Sequence, residues 1–211
     1  MRLIHSILAA LLFIGLAVTP AYAAESLSNP DPPAVLFLHY KYAHAVPPFE
    51  ALAQWSLGRK SGDEFHKQEE ITQAAAILKA KAAGLDGVKK IIVNLLSFFS
   101  DYALQFQEYD FDINDGSYIP FNNVFGRDVR IALTNGTKAQ TWKLGPKDAE
   151  DVLRQNKGQR AVTLVLTLLL QESPPAGDGE PITLNAKILG YDILTAYGSA
   201  RLGKVVVEAS P

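Results

Sequence analysis

At 211 residues without a single cysteine, the chain is long enough to bury a core of its own, and the missing thiols exclude disulfides, thiolate nucleophiles and cysteine metal sites. Its 20 lysines and arginines stand against 22 aspartates and glutamates, for a formal charge of −2. The basic residues are dispersed among acids, which excludes the basic stripe of a nucleic-acid binder.

Residues 1–23 read as an export signal. Arg2 and His5 give a polar start, an apolar run of 12 residues follows from Ile7 to Val18, and Ala21 and Ala23 supply the small residues that a signal peptidase reads. That run is too short for a bilayer core of roughly 30 Å. The mature chain is therefore expected to begin near Ala24, to have no integral membrane span, and to sit in the bacterial periplasm. Exported eukaryotic domains of this length commonly carry disulfides, which favours the bacterial compartment.

Residues 24–33 hold Ser26, Ser28, Asn29, Pro30, Asp31, Pro32 and Pro33 and are expected to be a linker. Residues 34–211 are expected to form a single α+β domain, helical over 34–87 and β-rich over 88–211. For 34–46 two patterns compete. A strand would align Leu36, Leu38, Tyr40 and Tyr42, whereas a helix would bury Leu36, Phe37, Tyr40 and Ala43. Asp31 as N-cap, with prolines in the first turn, favours the helix. Pro47 and Pro48 end it and start a short helix through Phe49, Leu52 and Trp55 towards Gly58. Ser61, Gly62, Asp63 and Glu64 open a third, over 63–83, with an apolar stripe of Ile71, Ala75, Leu78 and Ala82 and stops at Gly84 and Gly87.

Residues 88–101 fit a strand through Ile91, Ile92 and Val93, or a helix face of Ile91, Ile92, Leu95, Leu96 and Phe99. Beyond them, 103–112 is predicted as a strand, Asn114-Asp115-Gly116 as a tight turn and 118–121 as the returning partner. Strands at 129–133 and 140–144 flank Asn135-Gly136 in the same way, so two antiparallel hairpins are expected. Gly145-Pro146 introduces a helix over 147–155, closed by 156–158.

Residues 160–171 read as the central strand. Val162, Leu164, Leu166, Leu168 and Leu170 form one face and Ala161, Thr163, Val165, Thr167 and Leu169 the other, which predicts cover on both sides. After a loop at 172–180, residues 182–188 alternate with Ile182, Leu184, Ala186 and Ile188 inward, and a last strand is expected over 202–208. Helices followed by strands define an α+β fold, an N-terminal helical region packed on a mainly antiparallel β-sheet. Tyr109-Asp110-Phe111 and Tyr191-Asp192-Ile193 echo each other, which is read as chance and not as duplication.

A helix opened by Asp63-Glu64-Phe65, followed about forty residues later by a strand containing Glu108-Tyr109-Asp110-Phe111, resembles a bacterial family of exported proteins, a domain of unknown function. The likeness spans 63–193. It implies a secreted α/β module and brings no catalytic residues with it.

Site chemistry is sparse. Asp110, Asp112, Asn114 and Asp115 suggest a calcium loop, but an EF-hand starting at Asp110 needs Gly and Glu where this chain has Asp115 and Phe121, so an exposed strand with Phe111 and Ile113 inward is expected instead. His39 and His44 are five apart, His66 is distant, and no third zinc ligand is signalled. Gly198-Ser199-Ala200 lacks the glycines of a nucleophile elbow, Gly177-Asp178-Gly179-Glu180 lacks the strand-to-helix setting of a phosphate cradle, and Glu69 and Glu70 lie on a polar helix face. No cofactor and no metal are expected.

Aromatic residues give the binding signal. Tyr40, Tyr42, Trp55, Tyr118, Trp142, Tyr191 and Tyr197 are the candidates, and Tyr40, Trp55, Tyr118 and Trp142 are taken as the aromatic patch. The expected function is a non-catalytic binding or envelope-associated module whose partner is a periplasmic protein or a small ligand. The alternative is a periplasmic hydrolase with a site assembled from dispersed acids and histidines.

Overall fold

The computed structural model describes residues 25–58, 64–177, 179–198 and 200–207. The expected leader at 1–23 lies outside the described residues, as do Ser61, Gly62, Asp63, Asp178, Ser199 and Glu208.

The segment expected to be a linker contains a strand, β1 (Ser26–Ser28), which pairs in parallel with β2 (Lys90–Phe98) and sets Leu27 beside Ile91. Local composition argued against regular structure there; a partner far along the chain overrides it, and the prolines only fix where the strand stops. Next comes α1 (Pro32–Tyr42), with Ala34 N–H donating to the Asp31 carboxylate at 2.8 Å. The helix is enclosed on all sides. Ala34 to His39 are all buried in succession, while Tyr40 and Ala43, expected to be inward, are half-buried. Near its end Lys41 Nζ donates to the carbonyls of Leu85, Asp86 and Val88, and Tyr42 Oη donates to that of Val88 at 3.0 Å.

A second helix, α2 (Phe49–Leu57), buries Leu52 and Ala53 and ends at Gly58, whose φ of +65° suits glycine. In α3 (Glu64–Ala83) the stripe of Ile71, Ala75, Leu78 and Ala82 is half-buried, and Ile77 is 69% exposed. No helix among the described residues is long and apolar enough to cross a membrane.

The remaining elements are β3 (Glu108–Asp110), β4 (Tyr118–Val124), β5 (Arg127–Leu133), α4 (Gly136–Ala139), β6 (Thr141–Lys143), α5 (Pro146–Gln155), β7 (Ala161–Leu170), β8 (Ile182–Thr195) and β9 (Arg201–Val206). Seven strands form one sheet in the order β1-β2-β7-β8-β5-β4, with β9 also on β8, and β3 pairs with β6 in a separate two-stranded sheet. Only β1–β2 and β5–β8 are parallel, so the fold is α+β with a mainly antiparallel sheet. The long β8 forks the sheet. Its residues 182–186 carry β5 and 190–194 carry β9, while β7 pairs with 186–195.

Two expected hairpins do not form. Residues 104–107 are a turn, only Glu108–Asp110 of the segment 103–112 is a strand proper, and it pairs with β6 instead of β4. The turn itself exists: Gly116 N–H donates to Asn114 Oδ1 at 2.8 Å, and Ser117 N–H to the Asn114 carbonyl at 3.0 Å. It passes the chain from one sheet to the other. Asn135-Gly136 has a different use, because the Asn135 amide is buried and bonds both the N–H and the C=O of Ile188, at 2.7 and 3.0 Å. A Cβ on Gly136 would lie 2.1 Å from the Asn114 carbonyl oxygen. The pair is a packing joint. Within this stretch a hairpin instead joins β4 to β5 across Phe125-Gly126, both at positive φ.

The segment 88–101 resolves as β2, and 160–171 as the central β7. Val162, Leu164, Leu166, Leu168 and Leu170 are buried, but Ala161, Thr163, Val165, Thr167 and Leu169 are only half-buried. Cover on both sides was expected; one face is closed and the other is partly open.

Candidate functional site

The expected aromatic patch divides. Trp142 is 3% exposed and sits among Phe99, Tyr109 and Phe111, with ring centroids 5.9 to 6.4 Å away. It is a core residue, packed so closely that a Cβ on Gly203 would meet its ring at 2.4 Å. Tyr40 is half-buried against His39, Trp55 is half-exposed against Phe125, and Tyr118 is 55% exposed with the Arg130 guanidinium 5.5 Å from its ring centre. No ring contact joins any two of the four. Tyr191 is also core: its hydroxyl donates to the Ala139 carbonyl at 2.6 Å, and burial, aided by Asp110, pushes its pKa well up.

Nor do the titratable groups converge. His39 is buried, with Nδ1 2.9 Å from the Thr183 carbonyl of β8, an acceptor that sets Nδ1 as the protonated nitrogen. Burial holds its pKa below the ordinary histidine value, with Arg127 acting in the same direction and the carbonyl against it. His44 is exposed, 3.9 Å from Glu172. Of the acids considered for calcium, Asp110 accepts from Thr141 Oγ1 and Asp115 from Thr137 N–H, while Asp112 is exposed. Among the described residues no three His, Cys, Asp or Glu side chains come together within reach of one metal ion.

The distinctive feature is the edge of β2. Leu170 N–H donates to the Lys89 carbonyl and Phe99 N–H to that of Arg160, so odd-numbered residues of β2 turn their backbone groups toward β7. Even-numbered residues turn theirs outward. Lys90 and Ile92 meet the β1 segment there, through Lys90 N–H to the Glu25 carbonyl at 3.1 Å and Asn29 N–H to the Ile92 carbonyl at 2.7 Å. Past Ile92 that cover ends. Among the described residues nothing pairs with the outward backbone groups of Asn94 and Leu96, and the ladder resumes only at a Phe99–Phe111 bridge. Leu96 and Phe98 are each 62% exposed.

Opposite this stretch lies the start of β4. Three strands separate β2 from β4 in the sheet order, which would put them about 19 Å apart in a flat sheet. Both nevertheless line one groove of about 460 Å³, with Leu95 and Leu96 from β2, Tyr118 and Ile119 from β4, and the buried Ile113 and Leu133. The sheet therefore curls until its edges face each other. Successive pairings make β2 and β4 run in opposite directions, so the end of one and the start of the other share an end of the sheet. The β4 edge is guarded: Leu133 N–H donates to the Ser117 carbonyl, so even-numbered residues face outward, and one of them is Pro120, which has no N–H. No proline and no charge guards β2 over 91–98.

Of the patch expected from sequence, only Tyr118 lines this groove. Asn94, Leu96 and Phe98 were missed. Their signal was an apolar run on both strand faces that carries neither charge nor proline.

With this geometry in view, the comparisons add no relative. The chain matches no family model, no curated protein and no solved structure at a significant level.

Proposed function

We propose that the protein is an exported, periplasmic, non-catalytic binding module, and that it binds through the groove between β2 and β4. The observation that carries this reading is the coincidence of an open backbone edge at Asn94 and Leu96 with an apolar groove bordered by Leu96, Phe98 and Tyr118. The groove's one acid, Asp112, has no histidine, lysine or second acid beside it among the lining residues, which favours binding over hydrolysis. In this reading the N-terminal helical region packs on the sheet as a supporting layer, the apolar start of the chain is its export signal, and the resemblance to exported proteins of unknown function belongs to the same picture.

Affinity capture from periplasmic extract tests it, with the purified protein as bait beside a Leu96→Glu/Phe98→Glu variant. The expected result is a component, protein or small molecule, that the parent retains and the variant loses. Equal retention by both, or steady turnover of a hydrolase substrate panel, contradicts it.

A further inference from the structure

Building on the groove as the binding surface, we propose that its occupant is a single extended segment of another polypeptide, which pairs as a strand with Asn94 and Leu96 and fills the gap between β2 and β4. Four outward backbone groups, the N–H and C=O of these two residues, have no partner among the described residues, and an added strand supplies complements at matching spacing. The slot has ends. β1 closes it at Ile92 and the Phe99–Phe111 bridge closes it at the other side, which leaves room for about five extended residues at about 3.3 Å each.

Two features select a lone strand over the edge of a second copy. The start of β4 and the turn at 112–117 stand across the slot, so an incoming strand cannot bring a neighbouring strand of its own sheet behind it. Side chains of the segment would meet Leu95, Ile113 and Ile119 on one face and Leu96, Phe98 and Tyr118 on the other, so apolar residues suit both sides. Asp112 lines the groove and has no ion-pair partner among the described residues, and it matches a lysine or arginine at one end of the segment.

Synthetic peptides provide the probe: acetyl-Val-Thr-Val-Thr-Val-Lys-amide, its Lys-to-Thr analogue, and the lysine peptide N-methylated at alternate residues in each of the two frames. Binding to the purified protein is followed by calorimetry and by amide hydrogen exchange. Saturation with the lysine peptide is expected to slow exchange at Asn94 and Leu96 by about tenfold or more, with little change at Val93 and Leu95, which already bond β7. N-methylation in one frame should weaken binding by about tenfold or more. Asp112→Asn should weaken the lysine peptide alone, by about threefold. Leu96→Pro removes an outward N–H while sparing the β7 ladder, and should abolish binding; if that variant does not fold, the N-methylated peptides on the parent decide. No binding at about 1 mM, binding unaffected by N-methylation in either frame, or binding without protection of Asn94 and Leu96 overturns the proposal. So does a dimer of the protein alone that protects those amides. A groove-dependent captured component together with peptide failure would sink the strand and leave the binding module; loss of both would sink both.

Discussion

The inner face of β7 and the outer edge of β2 belong to neighbouring strands and both carry large apolar side chains, yet their surroundings differ completely. Leu164 and Leu166 are fully buried, opposite Leu95 and Val93, with strands on both sides of β7. Leu96 and Phe98 point the other way from a strand whose outer neighbour stops early, and both are mostly exposed. A leucine in a strand is stabilising because of what lies beside it. The two edges of the sheet make a second contrast, since β4 carries Pro120 where β2 carries only Asn94, Leu96 and Phe98.

The largest effect should come from the inner face. Leu166→Asp places a carboxylate among fully buried neighbours, at a cost of several kcal/mol against a total stability of roughly 5 to 15 kcal/mol. The variant should lack a cooperative thermal transition by near-UV circular dichroism; a melt close to the parent's would break the distinction between the faces.

Asn135→Ala comes next. It removes both bonds to Ile188 and leaves a buried N–H and C=O unpaired, at about 1 to 3 kcal/mol for each group. Urea melts should place the loss at about 2 to 6 kcal/mol, and a loss below about 0.5 kcal/mol, the level of a surface substitution, would contradict the role of Asn135 as a joint.

A smaller effect is expected with acid. His39 has a lowered pKa in the folded chain, so the unfolded chain takes up the proton first. Its contribution is fully present above the unfolded value near 6.5 and is lost as pH falls through the folded one. Urea midpoints should fall from pH 7.5 to pH 5, and less steeply in His39→Gln once both are referenced to their own midpoint at pH 7.5. Equal slopes would contradict this. At the bottom of the scale, Leu96→Lys should change stability by less than about 0.5 kcal/mol, because that side chain is mostly in solvent. A loss above about 2 kcal/mol would place Leu96 in the core and close the open edge.

The sequence was informative wherever the decisive interaction was local. Asp31 with its prolines marked α1, Gly145-Pro146 marked α5, and the alternation from Ile182 to Ile188 identified the inward side of β8. It misled where a local turn motif serves a distant contact. Asn114-Asp115-Gly116 makes its turn, but which strands flank it is decided by pairing of β3 with β6 and of β4 with β5, and Asn135 is spent on Ile188, 53 residues away. Trp142 looked like a binding residue because aromatic type alone does not separate core from surface, and its burial depends on Phe99, Tyr109 and Gly203 arriving from elsewhere. The groove was invisible for the same reason: it exists only because the sheet curls and β1 is three residues long.

The open edge of β2 is tested most directly by amide hydrogen exchange on the free protein, read residue by residue by NMR. Leu95 bonds β7 and should exchange slowly, whereas Asn94 and Leu96, facing the groove, should exchange at least about a hundredfold faster. Uniformly slow exchange from Val93 to Leu96 in the monomer would mean that another part of the chain already covers this edge, and it would contradict the account.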